Sequence, residues 1–346
     1  MSKQKRVIIV GAGMAGLIAH QVFSSSNYTV KTFEAAPSSP LSNHKAVFRV
    51  RDPNIRSILQ CDLERVDVDK AVFFCGSLQS SFSIESSNLY SLKLYRSIEP
   101  RSLQSLGSVK RYLMSNIKVP NSIYYGRRLT SITHSRTEDQ HSRYIAHFTK
   151  DIGEKTTEET VEYDFLISTI PLPNLLRCAD VTCDIPLDCH PIFIIRGTLP
   201  WPSTVNQTIY FPDPNFKIYR ATIQSRTFIA EGILTCAPVD GVVERCWRDE
   251  GGMVLGAFGL EINPELLKDT STHIQRFGKI LPTGDEEERK RIIYNLTSSK
   301  RILSLGRHAI WKPIRTDHLL EDVRVVKKIV DMSTSDHNYF RRKEGV

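Results

Sequence analysis

The chain has 346 residues, 40% of them hydrophobic, enough for a sizeable core spread over two domains. It lacks the run of about eighteen apolar residues that a membrane-crossing helix needs, and Met1-Ser2-Lys3-Gln4-Lys5-Arg6 leads straight into an apolar run, so a cytoplasmic protein with no membrane partner is expected. The net charge is +8, and the seven scattered cysteines fit reduced thiols better than a disulfide framework; Cys178, Cys183, Cys189 and His190 lack C-x-x-C spacing, so no metal site is predicted.

Val7 to Val10 is an unbroken apolar run, as expected for a parallel strand buried on both faces. Gly11, Gly13 and Gly16 follow at G-x-G-x-x-G spacing. Gly11 permits a tight turn, Gly13 lets backbone approach a pyrophosphate, and Gly16 allows close helix–strand packing. Leu17, Ile18, Val22 and Phe23 then supply a helical apolar face. Thr29 to Phe33 predicts a second strand ending in Glu34, eighteen residues after Gly16. An acid there accepts from both ribose hydroxyls of an adenosine. Strand, helix, strand and acid in this order predict dinucleotide binding by Gly11, Ala12, Gly13, Met14, Ala15, Gly16, Glu34 and Ala35. The helix N-terminus adds N–H donors and a positive dipole end. Glu34 would repel the extra phosphate of NADP.

Ala35 to Pro40 is a loop by composition. Ser77 to Ser91 predicts a hairpin or exposed loop, and Leu103 to Met114 predicts a helix. Between Lys93 and Arg128 stand Lys93, Arg96, Arg101, Lys110, Arg111, Lys118, Arg127 and Arg128, opposed only by Glu99. Tyr95, Tyr112, Tyr124 and Tyr125 are interleaved. Such a basic window suits a polyanion such as DNA, and equally a solvated basic face.

Ser122 to Thr133 and Tyr144 to Thr149 predict strands, Lys150 to Thr160 a charged hairpin turn, and Val161 to Pro171 one buried strand. Pro191 to Leu234 is strand-rich, interrupted at Leu199-Pro200-Trp201-Pro202. Asp285 to Leu296 predicts a helix with Glu286, Glu287 and Glu288 well placed in its first turn. Asp331 to Val346 reads as a polar tail.

Separated motifs resemble one group, the FAD-dependent amine-oxidase-like proteins and within it the UDP-galactopyranose mutases. They are the glycine turn with Glu34; Tyr163-Asp164-Phe165-Leu166-Ile167-Ser168-Thr169-Ile170-Pro171-Leu172; Tyr210-Phe211-Pro212-Asp213-Pro214 with Tyr219-Arg220-Ala221-Thr222; and Gly306-Arg307, Trp311-Lys312 and Asp317-His318. The resemblance implies an α/β fold with FAD as cofactor. A discontinuous Rossmann-like FAD domain of the glutathione-reductase type would take residues 1–76, 121–178 and 285–332. A helical, basic insertion would take 77–120, a sheet-rich substrate domain 179–284, and a polar tail 333–346. It further implies that Leu129 lies near the adenine and Arg307 by the pyrophosphate or ribityl chain. Asp317, His318 and Leu319 would open a helix whose N-terminus faces the flavin. His44, Arg49, Tyr219, Arg220 and Lys312 would stand near the ring, with Trp311 as a packing wall. Where the mutases carry a double glycine before a histidine, this chain has Ser42-Asn43-His44.

The resemblance leads to two chemistries and a third, non-catalytic reading. The first is oxidation or cleavage of a carbon–nitrogen bond in an amine, with amino-acid-modified thymine in viral DNA as one bearer, held through residues 93–128. It suits a sequence with no Ser/His/Asp or paired-carboxylate constellation. The second is a redox-neutral nucleotide-sugar rearrangement in which Tyr219 and Arg220 hold a diphosphate. The third is a flavin-binding scaffold for nucleic acid.

Overall fold

The computed structural model describes residues 4–25, 27–39, 48–74, 76–79, 106–136, 142–152, 155–204, 206–213, 216–234, 241–281 and 283–333. Its strands in the first half are β1 (Lys5–Val10), β2 (Tyr28–Glu34), β3 (Phe48–Val50), β4 (Asp62–Phe74), β5 (Ser77–Gln79), β6 (Gly107–Ser115), β7 (Ile123–Tyr125) and β8 (Arg127–Arg136). Then come β9 (Ser142–Ile152), β10 (Lys155–Tyr163), β11 (Phe165–Ser168), β12 (Cys189–Thr198), β13 (Gln207–Tyr210), β14 (Ile218–Gln224), β15 (Thr227–Ile233), β16 (Lys268–Ile280) and β17 (Ile302–Ser304). The chain divides into two compact units, Met1–Leu63 with Met114–Leu187 and Pro282–Val346, and Glu64–Leu113 with Asp188–Leu281.

The first unit holds a five-stranded sheet in the order β17-β11-β1-β2-β7, parallel throughout. Val7, Ile8 and Ile9 lie at its centre, fully buried between β11 and β2. That is why the run carries no polar alternation. The helix Met14–Ser24 links β1 to β2 and buries Leu17, Ile18 and Phe23.

A three-stranded antiparallel sheet, β10-β9-β8, joins this sheet through single residues. Gly126, at φ +66°, separates β7 from β8. Asp164 separates β10 from β11, so the single strand expected over Val161–Pro171 is two. The break has a local cause. The Asp164 carboxylate accepts from the Arg6 backbone N–H at 2.7 Å and from its guanidinium at 3.0 Å, while the Asp164 N–H donates to the Arg6 carbonyl at 2.9 Å. The expected turn at Lys150–Thr160 is also mostly strand, because β9 and β10 stay in register as far as Ile152 opposite Lys155. Thr156, Thr157 and Thr160 are β-branched and favour that outcome.

The second unit contains a larger sheet whose strands run in the order β16-β12-β15-β14-β13-β4-β6, with β5 on β4. One face is apolar. Phe193, Ile209, Phe211, Ile223, Phe228 and Ala230 pack there with Val243, Cys246, Val254 and Leu255 of the helix Val242–Gly256. The helix expected over Leu103–Met114 is replaced in its described part by β6. Ser108 and Lys110 are exposed between half-buried Gly107, Val109 and Arg111, a period of two that belongs to a strand. The expected hairpin near Ser77 begins as β5 folds back on β4 around Gly76; residues 80–91 lie outside the described residues.

Two longer helices also belong to the first unit. Glu286–Lys300 is capped by the Asp285 carboxylate, which accepts from the Glu288 N–H at 2.8 Å. Leu319–Met332 closes the described chain and buries Leu319, Leu320, Val323, Val326 and Val330. Among the described residues no helix is long and apolar enough to cross a membrane.

Candidate functional site

The carboxyl ends of β1 and β2 define the first candidate site. Gly11 has φ +99°, and a Cβ there would stand 2.3 Å from the Thr169 hydroxyl oxygen. A Cβ on Gly16 would stand 1.9 Å from the Gly11 carbonyl oxygen. The protein's own atoms therefore demand both glycines. Gly13 is different: a Cβ built on it meets nothing within 4 Å. It is the N-cap of the Met14–Ser24 helix and makes no side-chain cap, so no side chain of its own caps the helix's first N–H donors. Of the three glycines in this turn, the protein leaves room at the one that its packing does not require.

Glu34 stands beside this opening. Its carboxylate accepts from the Ala12 N–H at 2.6 Å and from the Ala36 N–H at 2.9 Å, one bond to each oxygen. Each oxygen keeps a further lone-pair site, so two oriented acceptors remain for vicinal hydroxyls. Ala35 is exposed next to it. Thr169, just past β11, donates to the Val10 carbonyl at 2.9 Å and ties the turn down from behind. Leu129 is buried on β8, and its carbonyl accepts from the Cys178 thiol at 3.5 Å.

The closing segment converges on the same turn. Gly306 has φ +89°, and a Cβ on it would come within 2.8 Å of the Ala15 Cβ and 3.5 Å of Leu319. The end of β17, the first helix and the start of the last helix thus meet at Gly306. The last helix begins at Leu319, after a single 3-10 turn Thr316–His318. Asp317 faces elsewhere: its carboxylate accepts from the backbone N–H groups of Arg51 and Asp52 at 2.8 and 3.1 Å. It holds the stretch just after β3, the strand in which Arg49 is half-buried. Arg307 is exposed, and its Nε reaches His308 Nε2 at 3.2 Å.

Trp311 is buried, at φ +51°. The loop around it is held by Arg289, a buried guanidinium that donates to the Ile310 carbonyl and pairs with Glu286. Lys312 is half-exposed, 3.3 Å from the same Glu286 carboxylate. Hydrogen bonds from Arg289 and Lys312 hold Glu286 down at about 2. His44 lies outside the described residues, as do Lys93, Arg96 and Arg101 of the basic window. In the rest of that window Arg127 pairs with Glu159 at 2.9 Å.

A second cluster occupies the second unit, on the sheet face opposite the helix Val242–Gly256. A bulge between Ile218 and Arg220 sets Tyr219 and Arg220 out of regular alternation, so both reach Glu231 on β15. The Tyr219 hydroxyl donates to Glu231 at 2.6 Å, and the Arg220 guanidinium pairs with its other oxygen. Lys279 lies 4.8 Å from the centre of the Tyr219 ring. Burial works against charge on Glu231, but Arg220 and Lys279 outweigh it and bring the carboxyl down to about 2. Burial likewise opposes the Arg220 charge, and Glu231 again wins, holding it above its usual value. Glu231 had no local signature in the sequence, because its role depends on which strand lies opposite.

No protein-family model and no curated protein matches the sequence. Solved structures do match in fold. Over 96% of this chain and 95% of the other, it is similar to a reduced UDP-galactopyranose mutase, with TM-score 0.66 at 15% identity. A CLA-producing fatty acid isomerase from P. acnes matches over 95% of this chain and 99% of its own, with TM-score 0.62 at 11% identity. A complex of aklavinone-11 hydroxylase with FAD and aklavinone matches over 94% of this chain and 61% of its own, with TM-score 0.53 at 15% identity. A parallel sheet and a second, larger sheet are the elements of fold that this chain shares with these structures.

Proposed function

We propose that this chain is an FAD-dependent enzyme. The observation that carries the reading is the contrast among the three glycines: two are filled by the protein, and the third opens beside the two oriented oxygens of Glu34. A pyrophosphate fits the opening and an adenosine ribose fits the carboxylate. FAD is favoured over a nicotinamide by the convergence of the closing segment on the same turn at Gly306, and by the fold shared with a hydroxylase in complex with FAD. Glu34 would hold the ribose hydroxyls. The uncapped N-terminus at Gly13 would meet the phosphates, and the helix beginning at Leu319 would offer backbone N–H donors. When bound, the flavin supplies a two-electron acceptor for a hydride from substrate carbon.

The finer reading is oxidation of a carbon–nitrogen bond. The substrate carbon gives up its hydride, the amine becomes an imine, and water releases a carbonyl compound and the amine nitrogen. That chemistry asks the protein mainly to orient a neutral amine and exclude competing water. It agrees with a polar face whose carboxylate, Glu231, is already committed to Arg220 and Tyr219. Amino-acid-modified thymine in DNA as the bearer rests on the basic window alone. A second reading, nucleotide-sugar isomerisation, is favoured by the excess of cations on that polar face. The test is a visible absorption spectrum of the purified protein, then anaerobic addition of the modified DNA. Flavin bands that bleach support amine oxidation. Bands that stay unchanged, with turnover of UDP-galactopyranose by pre-reduced protein, support the isomerase. A protein without flavin that gains none on incubation with FAD sinks the cofactor assignment.

A further inference from the structure

The strand registers of the second unit assign side chains to its non-apolar face. Ile194 stands opposite Glu231, and Arg196 two residues on stands opposite Ile229. Glu231 stands opposite Arg220, and Arg220 opposite Tyr210. Thr208 stands opposite Thr222 on one side and Lys70 on the other. Directly paired residues share a face, as do residues two apart. Lys70, Arg196 and Arg220 therefore share one face with the Glu231 carboxylate.

Arg196 is the unusual member. Among the described residues its side chain makes no hydrogen bond or ion pair, and its Nε is buried without a partner. Around it Ile192, Ile194 and Ile229 are buried, so the guanidinium stem crosses apolar surface. Burial pushes its pKa below the usual arginine value, opposed only by the field of Glu231. Glu231 bonds Arg220 and Tyr219, and among the described residues it forms no ion pair or hydrogen bond with Arg196. A buried donor left unmatched on a permanently charged group costs free energy, and native structures rarely keep one without use.

We infer that Arg196 anchors an anion-binding subsite on this face, which takes a carboxylate or phosphate oxyanion of the ligand. The planar fork of arginine suits either group through two parallel hydrogen bonds. The Arg220–Glu231–Tyr219 network beside it is charge-balanced and sets the edge of the subsite. The inference deepens the flavoenzyme reading by naming the substrate as an anion, but its readout does not depend on flavin.

The experiment is calorimetric titration of the full chain, as purified, with sodium phosphate and separately with sodium acetate at constant ionic strength. Arg196→Met and Arg196→Gln are compared with the natural chain and with Lys328→Ala, a change at an exposed lysine on the last helix. Both Arg196 variants should bind the preferred anion at least about tenfold more weakly, from loss of the charge-assisted bidentate contact. Lys328→Ala should bind as the natural chain does. Thermal unfolding of Arg196→Met should be unchanged or raised, because a half-buried unmatched charge has gone; Arg196→Gln serves if the methionine variant does not fold. Preference for phosphate over acetate, or the reverse, identifies the oxyanion. Anion binding that is equal in all four proteins overturns the inference. So does loss of flavin from the Arg196 variants with anion binding intact, which would assign the arginine to the cofactor. Failure of the cofactor reading shows separately, as absence of flavin absorption with the anion titration still interpretable.

Discussion

At the glycine turn after β1 the groups offered to a ligand are mostly backbone: N–H donors at the start of one helix, beside the Glu34 carboxylate, which two more N–H groups orient. On the polar face of the larger sheet they are side chains, collected from β4, β12, β14 and β15 by strand pairing. The first arrangement needs space and tolerates little variation in chain path. The second needs register, because a slip of one residue would turn Arg196, Arg220 and Glu231 to the other side. A site of the first kind holds what is common to many ligands, a pyrophosphate and a ribose. A site of the second kind can be recomposed for a particular substrate without disturbing the fold.

The largest expected effect separates fold from ligand within the turn itself. Gly16→Ala puts a methyl against the Gly11 carbonyl and should cost about 3 kcal/mol or more by chemical unfolding, since backbone must move. Gly13→Ala meets open space, so its unfolding midpoint should stay within about 0.5 kcal/mol of the parent. Its flavin content should nevertheless fall. If both variants lost stability equally, the opening at Gly13 would be a packing feature and not a ligand seat.

Next in size is the charge pair of the second unit. Glu231→Gln leaves the Arg220 guanidinium without its counter-charge, at a cost of about 3 kcal/mol. The sign with pH follows from the depressed carboxyl. Its folded value of about 2 lies below the ordinary 4.5, so the stabilisation is fully present above 4.5 and is lost as pH falls toward 2. Unfolding curves between those limits should converge for the parent and Glu231→Gln. Parallel curves would mean that Glu231 does not titrate with the fold.

Glu34→Ala should follow at about 2 kcal/mol in FAD affinity, roughly thirtyfold, from loss of charged hydrogen-bond acceptors. Equilibrium dialysis against FAD measures it. An unchanged affinity would remove Glu34 from the ribose and weaken the comparison on its better-defined side.

How far each region could be read in advance follows the same division. The turn was legible because its requirements are local: apolar run, glycine spacing, helix face and acid all lie within residues 7–34. The start of the last helix at Leu319 was legible through its motif, but the Asp317 carboxylate, which clamps Arg51 and Asp52, was not, since its partners lie more than 250 residues away. The segment Leu103–Met114 imitates a helix in its apolar spacing, while over its described part the neighbouring strand β4 draws it into β6. Tyr219 and Arg220 were picked out by resemblance. Their shared attachment to Glu231 required the bulge between Ile218 and Arg220, which leaves no mark in the residue pattern.

The smallest effect bears on chemistry. Lys312 pairs with Glu286 while both side chains are about half exposed, and an exposed pair of this kind is worth about 0.5 kcal/mol or less. Lys312→Ala should therefore leave thermal unfolding nearly unchanged. Arg289, buried and held by the same Glu286, keeps the Ile310 carbonyl and so the loop in place without the lysine. A lysine that ordered a water at a flavin would behave otherwise: its loss would slow flavin reduction at saturating substrate while sparing cofactor affinity. Rapid-mixing measurement of bleaching in Lys312→Ala, set beside Lys312→Arg, decides between the two roles. Equal rates in the parent and both variants make Lys312 a brace for the loop, and confine the reacting groups to backbone at the turn and side chains on the sheet. A rate that falls in both variants, with unfolding unaltered, would place a reacting side chain on the nucleotide unit and break the separation between the two regions.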